Sequence, residues 1–132
     1  NQGNALIINI ESVPAIAALD DLLGVPQVDA VLIGPHDLSI SLGLPEQYRH
    51  PLFERAVRDI LRRARAKGVG AGIHFSTDID QEITWAREEG ANLILHSSDF
   101  SICSQGLQAD FATLREALSD ALTTNRGNDI HI

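Results

Sequence analysis

The sequence contains no methionine and only one cysteine, Cys103, so no disulfide can form within the chain. A lone thiol fits a reducing compartment, and we expect a cytoplasmic protein. No apolar run approaches the roughly 20 residues that a membrane-spanning helix needs. Basic residues are scarce: 10 lysines and arginines stand against 18 acidic residues, which makes nucleic acid an unfavourable partner. Because no initiator methionine precedes Asn1, we expect the native beginning to lie upstream.

Short apolar runs alternate with segments of helical period over most of the chain. The expected strands cover residues 5–10, 28–33, 69–73 and 92–95, and each precedes a helical pattern. Strands this apolar are typical of parallel sheets covered by helices on both faces. The sequence therefore predicts an α/β fold of four βα units in residues 1–122, followed by a polar, disordered tail in 123–132.

Four βα units suit either of two parallel architectures. A doubly wound open sheet would fit, but no glycine-rich phosphate fingerprint follows the first strand. Four units are also half of an eight-stranded (β/α) TIM barrel, which typically needs about 250 residues. An isolated half-barrel would leave two strand edges unpaired, so it needs a complementary half.

Between the second strand and the next helix, residues 34–51 read as a polar loop. Asp78 and Gln81 resemble a capping box that opens a helix ending at Gly90. The last helix carries an apolar stripe from Leu107 to Ala121, and Cys103 reads as a packed, inert thiol.

Two carboxylates follow neighbouring strands, where barrels of this kind place their chemistry. Glu11 could instead be a first-turn acid that stabilises a helix dipole, and Asp37 could be the cap of a short turn. Together they could share one hard cation, which needs only one or two protein carboxylates. Gly34 and Pro35 would leave the backbone amides of His36 and Asp37 free to face an anion.

Three histidines also lie near expected strand ends: His36, His74 and His96. They could in principle form a zinc site, although nothing in the sequence fixes their convergence. The alternative is that His74 and His96 line a cavity or hydrogen-bond across strand ends. His36 would then face solvent or touch a substrate.

The segments Ile-Asn-Ile-Glu (8–11) and Val-Leu-Ile-Gly-Pro-His-Asp-Leu-Ser (31–39) resemble the HpcH/HpaI aldolase family, which includes 2-dehydro-3-deoxyglucarate aldolase. The resemblance assigns the chain to the C-terminal half of a TIM barrel. It implies that Glu11 and Asp37 ligate a divalent metal, Mg²⁺ or Mn²⁺, in a class II aldolase. Pyruvate would then be bound by the segment Gly34, Pro35, His36 and Asp37 and oriented by Asn9, which stands where many members carry glutamine.

The same resemblance implies reversible aldol cleavage of a 4-hydroxy-2-oxo acid to pyruvate and an aldehyde. The family's substrate arginine and its catalytic base come from the other half of the barrel, so we expect no catalytic residue here and no activity from this chain alone. A citrate-lyase-like or malyl-thioester-lyase-like reaction, or a non-catalytic oxo-acid-binding module, remains an alternative. Family members usually form homo-oligomers and often exchange the last helix between subunits. We therefore expect two partners for this chain: the missing N-terminal half of the barrel and further copies of the same protein.

Overall fold

The computed structural model describes residues 3–118. The strands are β1 (Ile7–Ile10), β2 (Ala30–Ile33), β3 (Gly70–Phe75) and β4 (Leu93–His96). The helices are α1 (Val13–Ala17), α2 (Leu19–Leu23), α3 (Pro35–Ser41), α4 (Pro51–Ala66), α5 (Ile79–Glu88) and α6 (Asp99–Ala117). The predicted polar tail, residues 123–132, lies outside the described residues.

All four strands form one parallel sheet in the order β1-β2-β3-β4. A central row of paired isoleucines fixes the register: Ile10 pairs with Ile33, Ile33 with Ile73, and Ile73 with Ile94. The predicted α/β class and the four βα units are confirmed. Within the described part of the chain, β1 and β4 each have a neighbour on one side only.

The core lies between the sheet and the helices on one of its faces. Apolar residues at helical spacing give α4 a stripe that is fully buried. Burying each of its large side chains contributes about 1.5–3 kcal/mol. Edge-to-face aromatic pairs continue the core from Tyr48 through Phe75 to Trp85, with centroid separations of 5.3 and 5.1 Å. Trp85 and Phe53 are therefore core residues. The buried residues of α4 are Phe53, Val57, Ile60, Leu61 and Ala64.

Part of the segment that the sequence predicts as a polar loop is a helix, α3. The prediction was wrong because proline and two serines look like turn residues, whereas here Pro35 occupies the first helical turn and presets its backbone. The buried Ser39 hydroxyl donates to the His36 carbonyl at 2.7 Å and accepts from the Glu46 amide at 3.0 Å. The serine thus stabilises both the helix and the loop that follows it.

The chain divides into two compact units, Asn1–Ser97 and Ser98–Ile132. The described part of the second unit is α6, which Ser98 caps through the Ser101 amide. It begins eight residues before Leu107, where the apolar stripe starts. None of the residues of α6 is buried, and Cys103 is exposed, so the prediction of a packed thiol was wrong. No described helix is long and apolar enough to cross a membrane.

Candidate metal and substrate site

The first carboxylate directly follows β1. Ile10 is buried in the core, so the pleat directs the next residue, Glu11, to the opposite face of the sheet. The Asn9 amide donates to Glu11 Oε1 at 3.0 Å and so orients the carboxylate. Val13, the first residue of α1, donates its amide to Ser41 Oγ at 3.0 Å, which ties the segment after Glu11 to α3. The Glu11 carboxylate is thus oriented by its own strand and anchored next to α3.

Gly34, the residue after β2, makes room for this carboxylate. A Cβ added at Gly34 would lie 2.7 Å from Glu11 Cγ and 2.9 Å from Cδ, well inside ordinary contact distance. The backbone of Gly34 has φ −88° and ψ 97°, which any residue can adopt. Glycine at this position therefore leaves the Glu11 side chain in place, whereas any other residue would displace it without straining the backbone.

Asp37 lies in the first turn of α3, on the next strand-to-helix connection. The first intrahelical bond runs from the Leu38 amide to the Gly34 carbonyl at 3.0 Å. The backbone amides of the first helical turn have no acceptor within the helix, so the amides of His36 and Asp37 make no intrahelical hydrogen bond. The side chains of His36 and Asp37 are exposed, and His36 Nδ1 lies 3.5 Å from Glu46 Oε1.

One cavity of about 350 Å³ contains the predicted site residues. Neither Glu11 nor Asp37 forms an ion pair with any lysine or arginine in the described chain. The sheet and α3 thus bring together all the residues that the sequence predicts for metal and substrate. The cavity is lined by Asn9, Glu11, Leu32, Ile33, Gly34, Pro35, His36, Asp37, Tyr48, His74, Phe75, Ser76 and Thr77.

The three histidines do not converge. Among residues 3–118 there is no group of three or more His, Cys, Asp or Glu side chains placed to hold a metal. His74 bonds across strand ends to the Ser97 carbonyl at 3.0 Å and lines the cavity. His96 lies on the other face, where its Nδ1 is 2.9 Å from the buried carboxylate of Glu82. This contact gives the buried Glu82 carboxylate a partner that the apolar core does not supply.

A divalent cation fits the residues that are present. The carboxylates of Glu11 and Asp37 supply oxygen donors, which Mg²⁺ and Mn²⁺ prefer, and no sulfur lines the cavity. The absent side chain of Gly34 leaves the Glu11 carboxylate space to face the cavity. Two carboxylates suffice for Mg²⁺, because it keeps several waters and takes further oxygens from its substrate.

A second cavity of about 610 Å³ lies beside the first and shares Tyr48, Phe75 and Thr77 with it. It contains neither carboxylate of the candidate site. Desolvation, with the nearby Glu46 charge, raises the pKa of the Tyr48 phenol above its usual value. The wall also carries the ion pair of Arg49 with Asp78.

Asp78 caps α5 through the Gln81 amide at 3.2 Å, as the sequence predicts. Desolvation raises the pKa of Asp78, but hydrogen bonds from Arg49 and from the Gln81 amide outweigh it and leave the pKa below its usual value. The Gln81 carboxamide does not complete a capping box. It is buried and donates to the Tyr48 carbonyl at 3.0 Å instead, which fixes the loop between the two cavities.

Comparison with known proteins decides the family. Residues 1–106 match the model of the HpcH/HpaI aldolase/citrate lyase family. The chain belongs to this family. It is 35% identical over 117 residues to 2-keto-3-deoxy-L-rhamnonate aldolase from Escherichia coli, an alignment that covers 87% of this chain and 42% of that protein. The chain thus spans less than half the length of the curated relatives it matches.

Solved structures of the family agree with the fold. An HpcH/HpaI aldolase from Desulfitobacterium hafniense superposes with a TM-score of 0.78 at 33% identity, covering 85% of this chain and 43% of that one. The citrate synthase SbnG superposes with a TM-score of 0.78 at 28% identity, covering 88% of this chain and 46% of that one. The four βα units therefore correspond to about half of an HpcH/HpaI TIM barrel.

Three features of the site do not follow from the sequence pattern. Tyr48 and Thr77 line the cavity but come from loops, whose course depends on buried bonds such as that of Gln81. The contact of Gly34 with Glu11 depends on strand register, and only a correct pairing of Ile10 with Ile33 would have revealed it.

Proposed function

We propose that this chain forms the metal- and pyruvate-binding half of a class II aldolase that cleaves 4-hydroxy-2-oxo acids reversibly to pyruvate and an aldehyde. One observation carries the proposal. Glu11 and Asp37, on adjacent strand-to-helix connections, line one cavity, and Gly34 between them carries no side chain to fill it. Family membership supports aldolase chemistry, while the substrate is our inference.

The residues of the chain have separate tasks in this proposal. Glu11 and Asp37 would hold Mg²⁺ or Mn²⁺, and Asn9 orients the Glu11 carboxylate through its amide. The free first-turn amides of His36 and Asp37 would bind the substrate carboxylate. When bound, the cation supplies Lewis-acid stabilisation for negative charge on the keto oxygen. Carbon–carbon cleavage needs a base for the substrate hydroxyl, which we expect from the rest of the barrel.

The experiment has a binding arm and an activity arm. Pyruvate titrated into the full-length protein in the presence of Mn²⁺ should bind, and chelation of the metal should abolish binding. Glu11→Gln and Asp37→Asn should each weaken Mn²⁺ binding by at least about tenfold, the scale of one lost ligand interaction of about 1.4 kcal/mol. Cys103→Ser, distant in sequence and in the other unit, is the control. Cleavage by the full-length protein that survives complete removal of divalent ions would refute the proposal.

A second function is favoured by a specific finding. The family description includes citrate lyase, and one matched structure is a citrate synthase. The same cation site could serve a citrate-lyase-like or malyl-thioester-lyase-like reaction, in which the acyl carrier contacts other parts of the barrel. Product analysis with free oxo acids and with thioesters separates the two. Full-length protein that binds pyruvate but cleaves neither would indicate a non-catalytic oxo-acid-binding module.

We further propose that the chain works in an oligomer together with the remaining barrel strands. Large apolar side chains of α6 are exposed, including Phe100 at 79%, Phe111 at 55% and Leu114 at 54%. Exposed apolar surface of this extent typically marks an interaction site. Light scattering on the full-length protein should give a mass above that of one subunit, and Phe111→Glu with Leu114→Glu should reduce it. A monomeric wild-type protein would contradict this.

A further inference from the structure

Strand register places a histidine in the same row as the candidate metal ligand. Ile10, Ile33 and Ile73 pair across β1, β2 and β3 and are all buried, so the residue after each faces away from the core. Those three residues are Glu11, Gly34 and His74. Neighbouring strands lie about 4.8 Å apart, so Glu11 and His74 flank Gly34 with about 10 Å between their backbones.

Gly34 leaves the space between these two side chains open. It contributes no Cβ, and the cavity that contains Glu11 and Asp37 extends to His74. A small ligand that reaches Glu11 on one side of the glycine can therefore reach the imidazole on the other. The span of about 10 Å suits a cation followed by a chain of four or five carbon atoms.

The orientation of the His74 ring is fixed by a single contact. Nε2 lies 3.0 Å from the Ser97 carbonyl oxygen. A carbonyl only accepts, so Nε2 carries the hydrogen and donates it. In the neutral ring Nδ1 is then an unprotonated acceptor. The Ser97 amide donates to the Phe75 carbonyl at 3.0 Å, which holds Ser97 in place. The backbone of Ser97 has a left-handed conformation, with φ 56°.

We propose that His74 is a specificity-determining residue whose Nδ1 accepts a hydrogen bond from a hydroxyl of the substrate. The inference rests on the proposed function, because the cation at Glu11 and Asp37 would fix the oxo-acid end of the ligand. Beyond that function, it names His74 as the residue that selects hydroxylated oxo acids over oxo acids without a hydroxyl group. The 4-hydroxyl of a 4-hydroxy-2-oxo acid lies two carbons from the keto group and is the donor of this kind nearest the scissile bond. In the bound substrate this hydroxyl donates its one hydrogen to His74, and it turns to the base from the rest of the barrel only when the carbon–carbon bond is cleaved.

The test compares two ligands that differ by one hydroxyl, 2-oxopentanoate and 4-hydroxy-2-oxopentanoate, each titrated with Mn²⁺ into the full-length protein. Wild-type chain should prefer the hydroxylated ligand by about fivefold to tenfold, the size of one net hydrogen bond. His74→Phe should abolish the preference while changing the affinity for 2-oxopentanoate less than twofold. His74→Asn, whose Oδ1 occupies the position of Nδ1, should restore part of it. His96→Gln, on the opposite face of the sheet, should keep the full preference.

A second measurement does not depend on binding. The ¹⁵N chemical shifts of the His74 ring should be those of the Nε2–H tautomer. The His74 signals are assigned as the ones that disappear in the His74→Phe variant. An Nδ1–H tautomer, or a preference for the hydroxylated ligand that persists in His74→Phe, would overturn the inference and leave the proposed function standing. Failure of both oxo acids to bind in the presence of metal would overturn the proposed function and the inference with it.

Discussion

Replacement of Gly34 by alanine should separate folding from metal binding. The backbone at this position is extended, with φ −88° and ψ 97°, so alanine fits without strain. The new methyl group would meet the Glu11 side chain, at 2.7 Å from Cγ and 2.9 Å from Cδ. Because Glu11 is only partly buried, its side chain can rotate away instead of forcing the backbone to move.

The expected magnitudes follow from this geometry. Carbon atoms normally pack 3.5–4.0 Å apart, so the Glu11 side chain must move by about 1 Å. Metal–ligand distances tolerate only about 0.2 Å, so the displaced carboxylate no longer binds in its original geometry. Disturbing the groups that orient a ligand typically weakens metal binding about 10–100-fold. We expect that range for Mn²⁺, whereas the free energy of unfolding should change by less than about 1 kcal/mol, since alanine also restricts the unfolded chain.

Calorimetric titration of Mn²⁺ measures the affinity, and urea unfolding followed by the fluorescence of Trp85, the single tryptophan, measures stability. Gly106→Ala is the matched control, because an added Cβ there meets no atom within 4 Å. It should leave the affinity for Mn²⁺ unchanged. A Gly34→Ala variant that binds Mn²⁺ as tightly as the wild type would refute the assignment of Glu11 as a ligand oriented by this contact.

Three further predictions concern the framework of the site. Ser39→Ala removes a buried hydroxyl that makes two hydrogen bonds and should cost about 1–3 kcal/mol of unfolding free energy, seen as a lower urea midpoint. In Gly72→Ala the new Cβ would lie 2.6 Å from the Leu93 carbonyl carbon, so the β3–β4 pairing must open. We expect the free energy of unfolding to fall by more than about 4 kcal/mol, or the protein not to fold. A variant of near wild-type stability would show the β3–β4 pairing to be wrong. Tyr48 is the single tyrosine, so absorbance at 295 nm should report its phenol alone, ionising above the ordinary pKa of about 10. Because the pKa of Tyr48 is raised on folding, the contribution of Tyr48 to stability should be constant below pH 10 and should be lost as pH rises through the folded pKa. Ionisation at or below the ordinary value would contradict the partial burial of its ring.

Much of the architecture follows from periodicity alone. The strand positions were predicted to within two residues at every end, because apolar runs such as residues 30–33 have few other stable arrangements. The cap at Asp78 was also predicted, since its side chain acts on an amide three residues away. Local rules fail where a long-range contact decides: the Gln81 carboxamide bonds to Tyr48, 33 residues earlier, rather than to its own helix.

For the site, the sequence predicted which residues would gather but not how they are held. Glu11 and Asp37 follow adjacent strands, and parallel strands bring their ends to one edge. The contact of Glu11 with Gly34, and the different partners of His74 and His96, depend on register and pleat, which the one-dimensional pattern leaves open.

The pleat of β3 ties the chemistry of the cavity to the stability of the fold. His74 and Phe75 are neighbours in the chain, yet one faces the cavity and the other completes the aromatic cluster with Trp85. Insertion or deletion of one residue within β3 would exchange them, sending an imidazole into the apolar interior and a phenyl ring toward the carboxylates. A change in the length of β3 would therefore preserve both the cavity and the core only in steps of two residues.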